Sequence, residues 1–269
     1  MEPIELIMLG TGNAAVTRCY NTCFAIKNGK QFFLTDAGGG NGILSQLEKA
    51  NLPLHDIKDL FVTHAHTDHI LGAVWVLRMV VQQMQKGAFE GDFQVYGHDK
   101  VIHVLQWICQ MTLPTKIVTC MQQRVKFHEV KSGDSFDAAG LHVQCFDILS
   151  TKEKQYGFRA ELPNGKTLVC LGDEPYNETT RPYVEHAEWL LCEAFCLYAD
   201  REKFKPYEKH HSTALDAGKL AAQLDVKNLL LYHTEDQTLS TRKQRYGEEA
   251  GQFFSGQIYV PDDLERIVL

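Results

Sequence analysis

No run of apolar residues in these 269 positions approaches the roughly 18 to 20 that a membrane helix needs. The segment Met1-Glu2-Pro3-Ile4-Glu5-Leu6 carries two acids and no basic stretch, so it does not resemble a signal peptide, and a cytoplasmic protein is expected. An excess of positive charge is also missing. Lys and Arg number 27 against 34 Asp and Glu, a formal net charge of -7. That leaves little for the clustered cations of a large nucleic-acid footprint. Cys-x-x-Cys pairs are absent among the 8 cysteines. The two wider pairs, Cys19/Cys23 and Cys192/Cys196, lack the usual spacing of a structural zinc site. Without a secretory signal the cysteines read as reduced thiols, and in settings such as Leu168-Val169-Cys170-Leu171 they behave as small hydrophobes. Neither an internal repeat nor a low-complexity linker interrupts the chain. With 44% apolar residues there is enough to bury a sizeable core, and residues 1–269 are expected to form a single domain.

What is present is an alternation of strands and helices. Short apolar runs over 4–9, 23–27 and 31–35 predict strands, with Asn28-Gly29 as a hairpin turn. A helix is expected over 42–50, a buried strand over 60–63, a long helix over 69–85, a strand over 93–96 and a helix over 100–111. In the second half strands are expected over 124–130, 141–147, 157–162 and 167–171, the last two joined by Asn164-Gly165. A strand over 189–192, a helix over 212–224 opened by a Ser cap, a strand over 229–232 and a helix over 241–252 complete the pattern. Such mixed meanders and βα units in both halves predict two packed sheets with helices outside.

The chemistry is concentrated in His64-Ala65-His66-Thr67-Asp68-His69. Phe61-Val62-Thr63 reads as the end of a buried strand, so four ligand-type side chains fall within six residues of a strand terminus. Neutral imidazole and carboxylate suit zinc, iron or manganese. Two more apolar strands end in the same way, Leu168-Val169-Cys170-Leu171-Gly172-Asp173 and Leu229-Leu230-Leu231-Tyr232-His233. Alone, a Gly-Asp turn or a His after a strand is most often structural. Three such ends in one chain favour a shared site, because strand ends of packed sheets gather at one edge.

His64-x-His66-x-Asp68-His69 resembles the signature of the metallo-β-lactamase superfamily. Leu9-Gly10-Thr11-Gly12 resembles its glycine-bearing first turn, and Asp36 matches the Asp of its first motif, which supports the ligands. The resemblance implies a four-layer αββα sandwich of the α/β (α+β) class. It implies metal ligation by His64, His66, Asp68, His69, Asp173 and His233, with Asp173 bridging two ions. Within the superfamily, Tyr156-Gly157-Phe158-Arg159, Leu190-Leu191-Cys192-Glu193-Ala194 and His210-His211-Ser212-Thr213-Ala214 resemble the ribonuclease Z and phosphodiesterase branch. By that resemblance His211 stabilises the transition state, Glu193 orients His211, and Asp68 orients the nucleophile while holding the second metal. One or two divalent metals per chain are implied, zinc first, with manganese or iron as alternatives. A homodimer is implied as well. The apolar helix over 70–85 could then cover an interface or face the core, and the aromatic segment over 180–209 could shape the mouth of a pocket.

Two departures qualify the resemblance. A further ligand His is expected six or seven residues before Gly157, where Ser150 and Thr151 stand; Asp147, Glu153, His98 or Cys192 could compensate. The 23 positions from Ser150 to Asp173 leave no room for a tRNA-clamping arm, so tRNA 3′-end processing is not expected. The resulting expectation is a metal-dependent hydrolase of small phosphodiester or nucleotide-like substrates, cyclic nucleotides among them. Its alternatives are a lactone, thioester or carboxylic-ester hydrolase on the same fold, and a degenerate member that binds without turnover.

Overall fold

Alternation with a period of two decides the architecture, because in most central strands both faces are buried. In the first strand Leu6 and Met8 point one way and Ile7 and Leu9 the other, all with no exposed surface. The two sets enter different cores. The computed structural model describes residues 2–269. In order it runs β1 (Glu5–Gly10), β2 (Cys23–Asn28), β3 (Gln31–Thr35), α1 (Gly42–Lys49), β4 (Ile57–Phe61), α2 (Thr67–Gln85), β5 (Phe93–Gly97), α3 (Asp99–Thr112), α4 (Thr115–Arg124), β6 (Val125–Glu129) and β7 (Ser135–Ala138). It continues through β8 (Leu141–Asp147), β9 (Tyr156–Glu161), β10 (Thr167–Cys170), α5 (Arg181–Val184), β11 (Trp189–Glu193), α6 (Arg201–Phe204), α7 (Ala214–Gln223), β12 (Asn228–Tyr232), α8 (Leu239–Ala250), β13 (Gln257–Tyr259) and β14 (Arg266–Val268).

Two seven-stranded sheets form, in the orders β14-β1-β2-β3-β4-β5-β6 and β13-β12-β11-β10-β9-β8-β7. Each is antiparallel at first and then parallel, over β3 to β6 in one and β10 to β13 in the other. The parallel strands need helical crossovers, and these helices cover the outer faces. Helices α1 to α4 pack on the first sheet and α5, α7 and α8 on the second, which makes the four layers αββα. Between the sheets Phe158 lies 5.6 Å from Phe33 and 5.5 Å from Phe61, both edge-on, the geometry aromatic rings prefer.

The structure departs from the sequence expectations in definite places. Helix α7 begins at Ala214 and is capped by Thr213, not Ser212: the Thr213 hydroxyl accepts from the Asp216 N–H and the Asp216 carboxylate accepts from the Thr213 N–H. Ser212 is held elsewhere, its N–H and hydroxyl donating to Glu193. Strand β4 stops at Phe61 and α2 starts at Thr67, so Asp68 and His69 occupy the first helical turn. Helix α2 is a core element, with Val76, Leu77, Val80 and Val81 wholly buried. No helix is long and apolar enough to cross a membrane among the described residues.

Candidate metal centre

The residues that the sequence places at strand ends each follow the carboxyl end of a strand in a parallel stretch or lie in the helical turn after it. Asp36 follows β3, His64 to His69 follow β4, Asp173 follows β10, and His233 follows β12. The sheets face each other, so these ends meet at one edge of the sandwich. Asp36 and His233 sit there in the left-handed region, with φ of 55° and 57°. That conformation is uncommon for non-glycine residues and persists where the surroundings hold it.

The side chains form two trios, His64, His66 and Asp173, and Asp68, His69 and His233. Within each, the ligand-type atoms lie within 4.8 Å of one another. One oxygen joins them: Asp173 Oδ2 is 3.6 Å from His64 Nε2, 3.6 Å from His69 Nε2 and 3.5 Å from His233 Nε2. His66 presents Nδ1, 2.8 Å from His64 Nε2. Asp68 Oδ2 lies 3.3 Å from His69 Nε2.

Two observations show that these residues fit divalent metals. His69 Nε2 is buried without a hydrogen-bond partner, while its Nδ1 bonds Asp36 Oδ2 at 2.8 Å. A carboxylate on one ring nitrogen leaves the other free as a ligand. The second observation is electrostatic. Burial opposes charge on His69, yet Asp36 and Asp68 outweigh it and raise the imidazole well above its ordinary value. Burial likewise works against the Asp173 carboxylate, and His64, His69 and His233 outweigh it and hold Asp173 well below the usual range. The carboxylates here demand positive charge, which a cation between the trios would supply. Burial also lowers His64 well below its ordinary value and His233 to about 3, so at neutral pH the positive charge facing Asp173 rests on His69 while His64 and His233 stand as neutral imidazoles suited to ligation.

A surrounding layer holds the ligands in place. Asp36 accepts from Thr63 N and Thr63 Oγ1, each at 2.8 Å, as well as from His69. Thr63 Oγ1 in turn lies 2.9 Å from His64 Nδ1, and Thr22 Oγ1 is 3.3 Å from His233 Nδ1. Gln155 completes the layer and had no signal in the sequence. It is 1% exposed, donates from Nε2 to Asp173 Oδ1 at 2.5 Å and lies 3.0 Å from His64 Nδ1. It occupies one Asp173 oxygen and leaves Oδ2 to face the histidines. None of Asp147, Glu153, His98 or Cys192 joins either trio among the described residues. His98 is buried against the Tyr156 ring, and Cys192 donates to the Glu193 carbonyl and packs in the outer core. The cysteines are all free and no Cys pair contributes to a ligand group.

Beside the trios opens a cleft of about 550 Å³ whose walls include Asn13, His66, Asp68, Lys152, Lys209 and His211. His211 stacks on Phe195 at 4.8 Å, and its Nδ1 lies 3.6 Å from Glu193 Oε2, an ion-pair distance longer than a hydrogen bond. Glu193 is wholly buried, and burial pushes its carboxyl up. Of the aromatic segment, Phe195 lines the cleft, Trp189 and Phe204 are buried, and Tyr198 and Tyr207 are exposed. A groove of similar size, about 570 Å³, lies between α3, α4 and β6. It contains neither ligand trio, so donor chemistry rather than volume distinguishes the site.

Comparison with known proteins agrees with this architecture. A ribonuclease Z of Thermobifida fusca is 24% identical over an alignment covering 100% of this chain and 96% of its own. The metallo-β-lactamase fold protein YhfI of Bacillus subtilis superposes with a TM-score of 0.79 at 19% identity, covering 99% of both chains. A diphosphatase of the PhnP family does so with 0.74 at 17% identity, covering 99% of this chain and 98% of its own. The family model described as anti-Pycsar protein Apyc1 matches residues 4–253. On that match the chain belongs to the anti-Pycsar protein Apyc1 family, and its architecture is the metallo-β-lactamase fold.

Proposed function

We propose that this protein is a metal-dependent phosphodiesterase acting on small phosphodiester or nucleotide-like substrates. The observation that carries the reading is the pair of His/Asp trios joined at Asp173 Oδ2, opening on a cleft with Lys152, Lys209 and His211 in its walls. The alignment with ribonuclease Z supports it, since a ribonuclease cleaves phosphodiester bonds.

Divalent metals held by His64, His66, Asp68, His69, Asp173 and His233 would lower the pKa of water to about 7 and offset phosphoryl charge. The residues supply the rest. Asp68 is held as a carboxylate: burial works to raise it, but His69 outweighs burial and keeps it below the usual range. It can therefore orient the attacking water by accepting a hydrogen bond from it. His211 presents Nε2 to the cleft, where it can donate to a phosphoryl or leaving-group oxygen. Glu193, behind Nδ1, orients the ring. The water, its proton released to solvent, bonds through oxygen to phosphorus, the ester P–O bond breaks, and the departing alkoxide takes a proton from His211 Nε2.

The test is a turnover screen of metal-reconstituted protein with bis(p-nitrophenyl) phosphate, p-nitrophenyl acetate and a lactone. Preferential phosphodiester hydrolysis, lost by orders of magnitude in Asp68→Ala and His233→Ala, is expected. Ester or lactone turnover alone would assign the alternative hydrolase class, and full metal content without turnover a binding role. The reading includes a homodimer, for which light scattering should give twice the 30.5 kDa of one chain.

A further inference from the structure

Lys152 belongs to no motif, yet it stands in the loop between β8 and β9 where the superfamily resemblance expects a ligand His. The loop is fastened at several points. Leu149, left-handed with φ of 56°, donates its N–H to Asp147 Oδ1 at 2.8 Å. The Ser150 hydroxyl donates to Glu174 Oε1 at 2.7 Å and accepts from the N–H groups of Lys152 and Glu153, each at 3.2 Å. Glu174 directly follows Asp173 and is itself buried.

This anchoring aims the Lys152 side chain. Its Nζ lies 3.1 Å from the Lys209 carbonyl oxygen, 3.5 Å from Glu174 Oε1 and 3.5 Å from His211 Nε2. An ammonium has three donors and no acceptor. Lys209 and Glu174 engage two directions, which leaves the third for the cleft, where His211 Nε2 stands 3.5 Å away, close enough for one oxygen to reach both nitrogens. The side chain is 26% exposed, so its head is partly desolvated but open to the cleft, whose lining it shares with Asp68, Asp173 and His233. Where a His would add a protein ligand to the first trio, this loop places a fixed positive charge instead.

We propose that Lys152 is the residue that selects an anionic phosphoryl group, donating to a non-bridging oxygen that enters between its ammonium and His211. The inference rests on the phosphodiesterase reading and deepens it. A phosphodiester carries a full negative charge at neutral pH, whereas a carboxylic ester or lactone carries none. Lys152 therefore distinguishes the two substrate classes that the metal trios alone would not separate.

The experiment compares wild type, Lys152→Met and Lys152→Arg, all loaded with the same metal and checked for equal metal content and thermal midpoint. Calorimetry measures the Kd of inorganic phosphate, and kinetics measures kcat and KM for bis(p-nitrophenyl) phosphate and p-nitrophenyl acetate. A charge-assisted hydrogen bond lost to phosphate predicts a roughly 10- to 100-fold weaker phosphate Kd in Lys152→Met, a similar fall in phosphodiester kcat/KM expressed mainly in KM, and acetate turnover within about twofold of wild type. Lys152→Arg keeps the charge and should recover part of both. A merely structural role would lower the thermal midpoint and affect both substrates alike. Should Lys152→Met fold poorly, Lys152→Gln gives the same readout. Phosphate bound equally well by wild type and the neutral variant overturns the inference. Wild type that holds metal but hydrolyses no phosphodiester refutes the phosphodiesterase reading instead, while the phosphate comparison still decides the role of Lys152.

Discussion

Gly72 lies one turn along α2 from Asp68 and His69, and the helix can approach the Asp36 loop only because this residue has no side chain. A Cβ at position 72 would fall 1.7 Å from the Ala37 carbonyl oxygen and 2.5 Å from its carbon, both backbone atoms that cannot swing aside. To bring the Ala37 oxygen from 1.7 Å to even 3.0 Å, the helix and loop must part by about 1.3 Å. The contact is bonded as well: Gly72 N donates to Gly38 O at 2.8 Å and Ala37 N to His69 O at 3.1 Å. Separation would stretch the 2.8 Å bond between Asp36 Oδ2 and His69 Nδ1 beyond hydrogen-bonding range and move two ligands together. Metal–ligand distances tolerate only about 0.2 Å, and a misplacement of about 1 Å can cost on the order of 100-fold in rate. In an open helix Gly→Ala stabilises by up to about 1 kcal/mol, so the sign of the effect is diagnostic. Overpacking predicts instead a loss of about 1 to 3 kcal/mol, or roughly 2 to 12 °C in a chain of this size. Elemental analysis, thermal unfolding and phosphodiester turnover of Gly72→Ala would measure all three. A variant with full metal content and an unchanged or raised midpoint would refute the reasoning.

Two further outcomes follow from the same geometry. Asp36→Asn should weaken metal binding about 10- to 100-fold, because an amide cannot accept from Thr63 N, Thr63 Oγ1 and His69 Nδ1 together; metal titration checks this, and wild-type affinity would contradict it. Burial pushes the Asp59 carboxyl from 3.8 up to about 6, so the folded state binds the proton more tightly than the unfolded chain. Its ionisation then costs up to about 3 kcal/mol of stability above pH 6, and this penalty disappears as pH falls from about 6 to 4. Asp59→Asn keeps an acceptor for the Ala139 N–H and should be the more stable protein at pH 7 but not at pH 4, as denaturant unfolding at both pH values would show. Equal stability at pH 7 would mean that Asp59 ionises there without penalty.

Much of the site is legible in one dimension because local rules place it. Apolar runs ending in His64, Asp173 and His233 identify strands whose carboxyl ends carry ligand-type side chains, and a strand delivers its terminal residue to the sheet edge whatever lies beyond. The hairpins at Asn28-Gly29 and Asn164-Gly165 are equally local. Helix α4 and strand β7 were not foreseen, for an equally physical reason. Helix α4 buries only Ile117 and Met121, and β7 is a four-residue edge strand with one buried residue, so neither has a strong apolar period. Ser212 reads as the cap of α7 from its neighbours alone, but Glu193, 19 residues away in sequence, takes its N–H.

Gln155 and Lys152 mark the limit of such reading. Glutamine and lysine are ordinary loop residues, and nothing in their neighbours reveals that one holds Asp173 and the other faces His211. Those contacts join separate strands, turns and loops that meet only when the two sheets close on their shared aromatic core. The candidate ligands are legible as residue types at strand ends, which short-range chemistry dictates. Ligand orientation, the free Nε2 of His69 and the charge lining the cleft were decided by tertiary packing, because they depend on distances between segments that the order of residues does not specify.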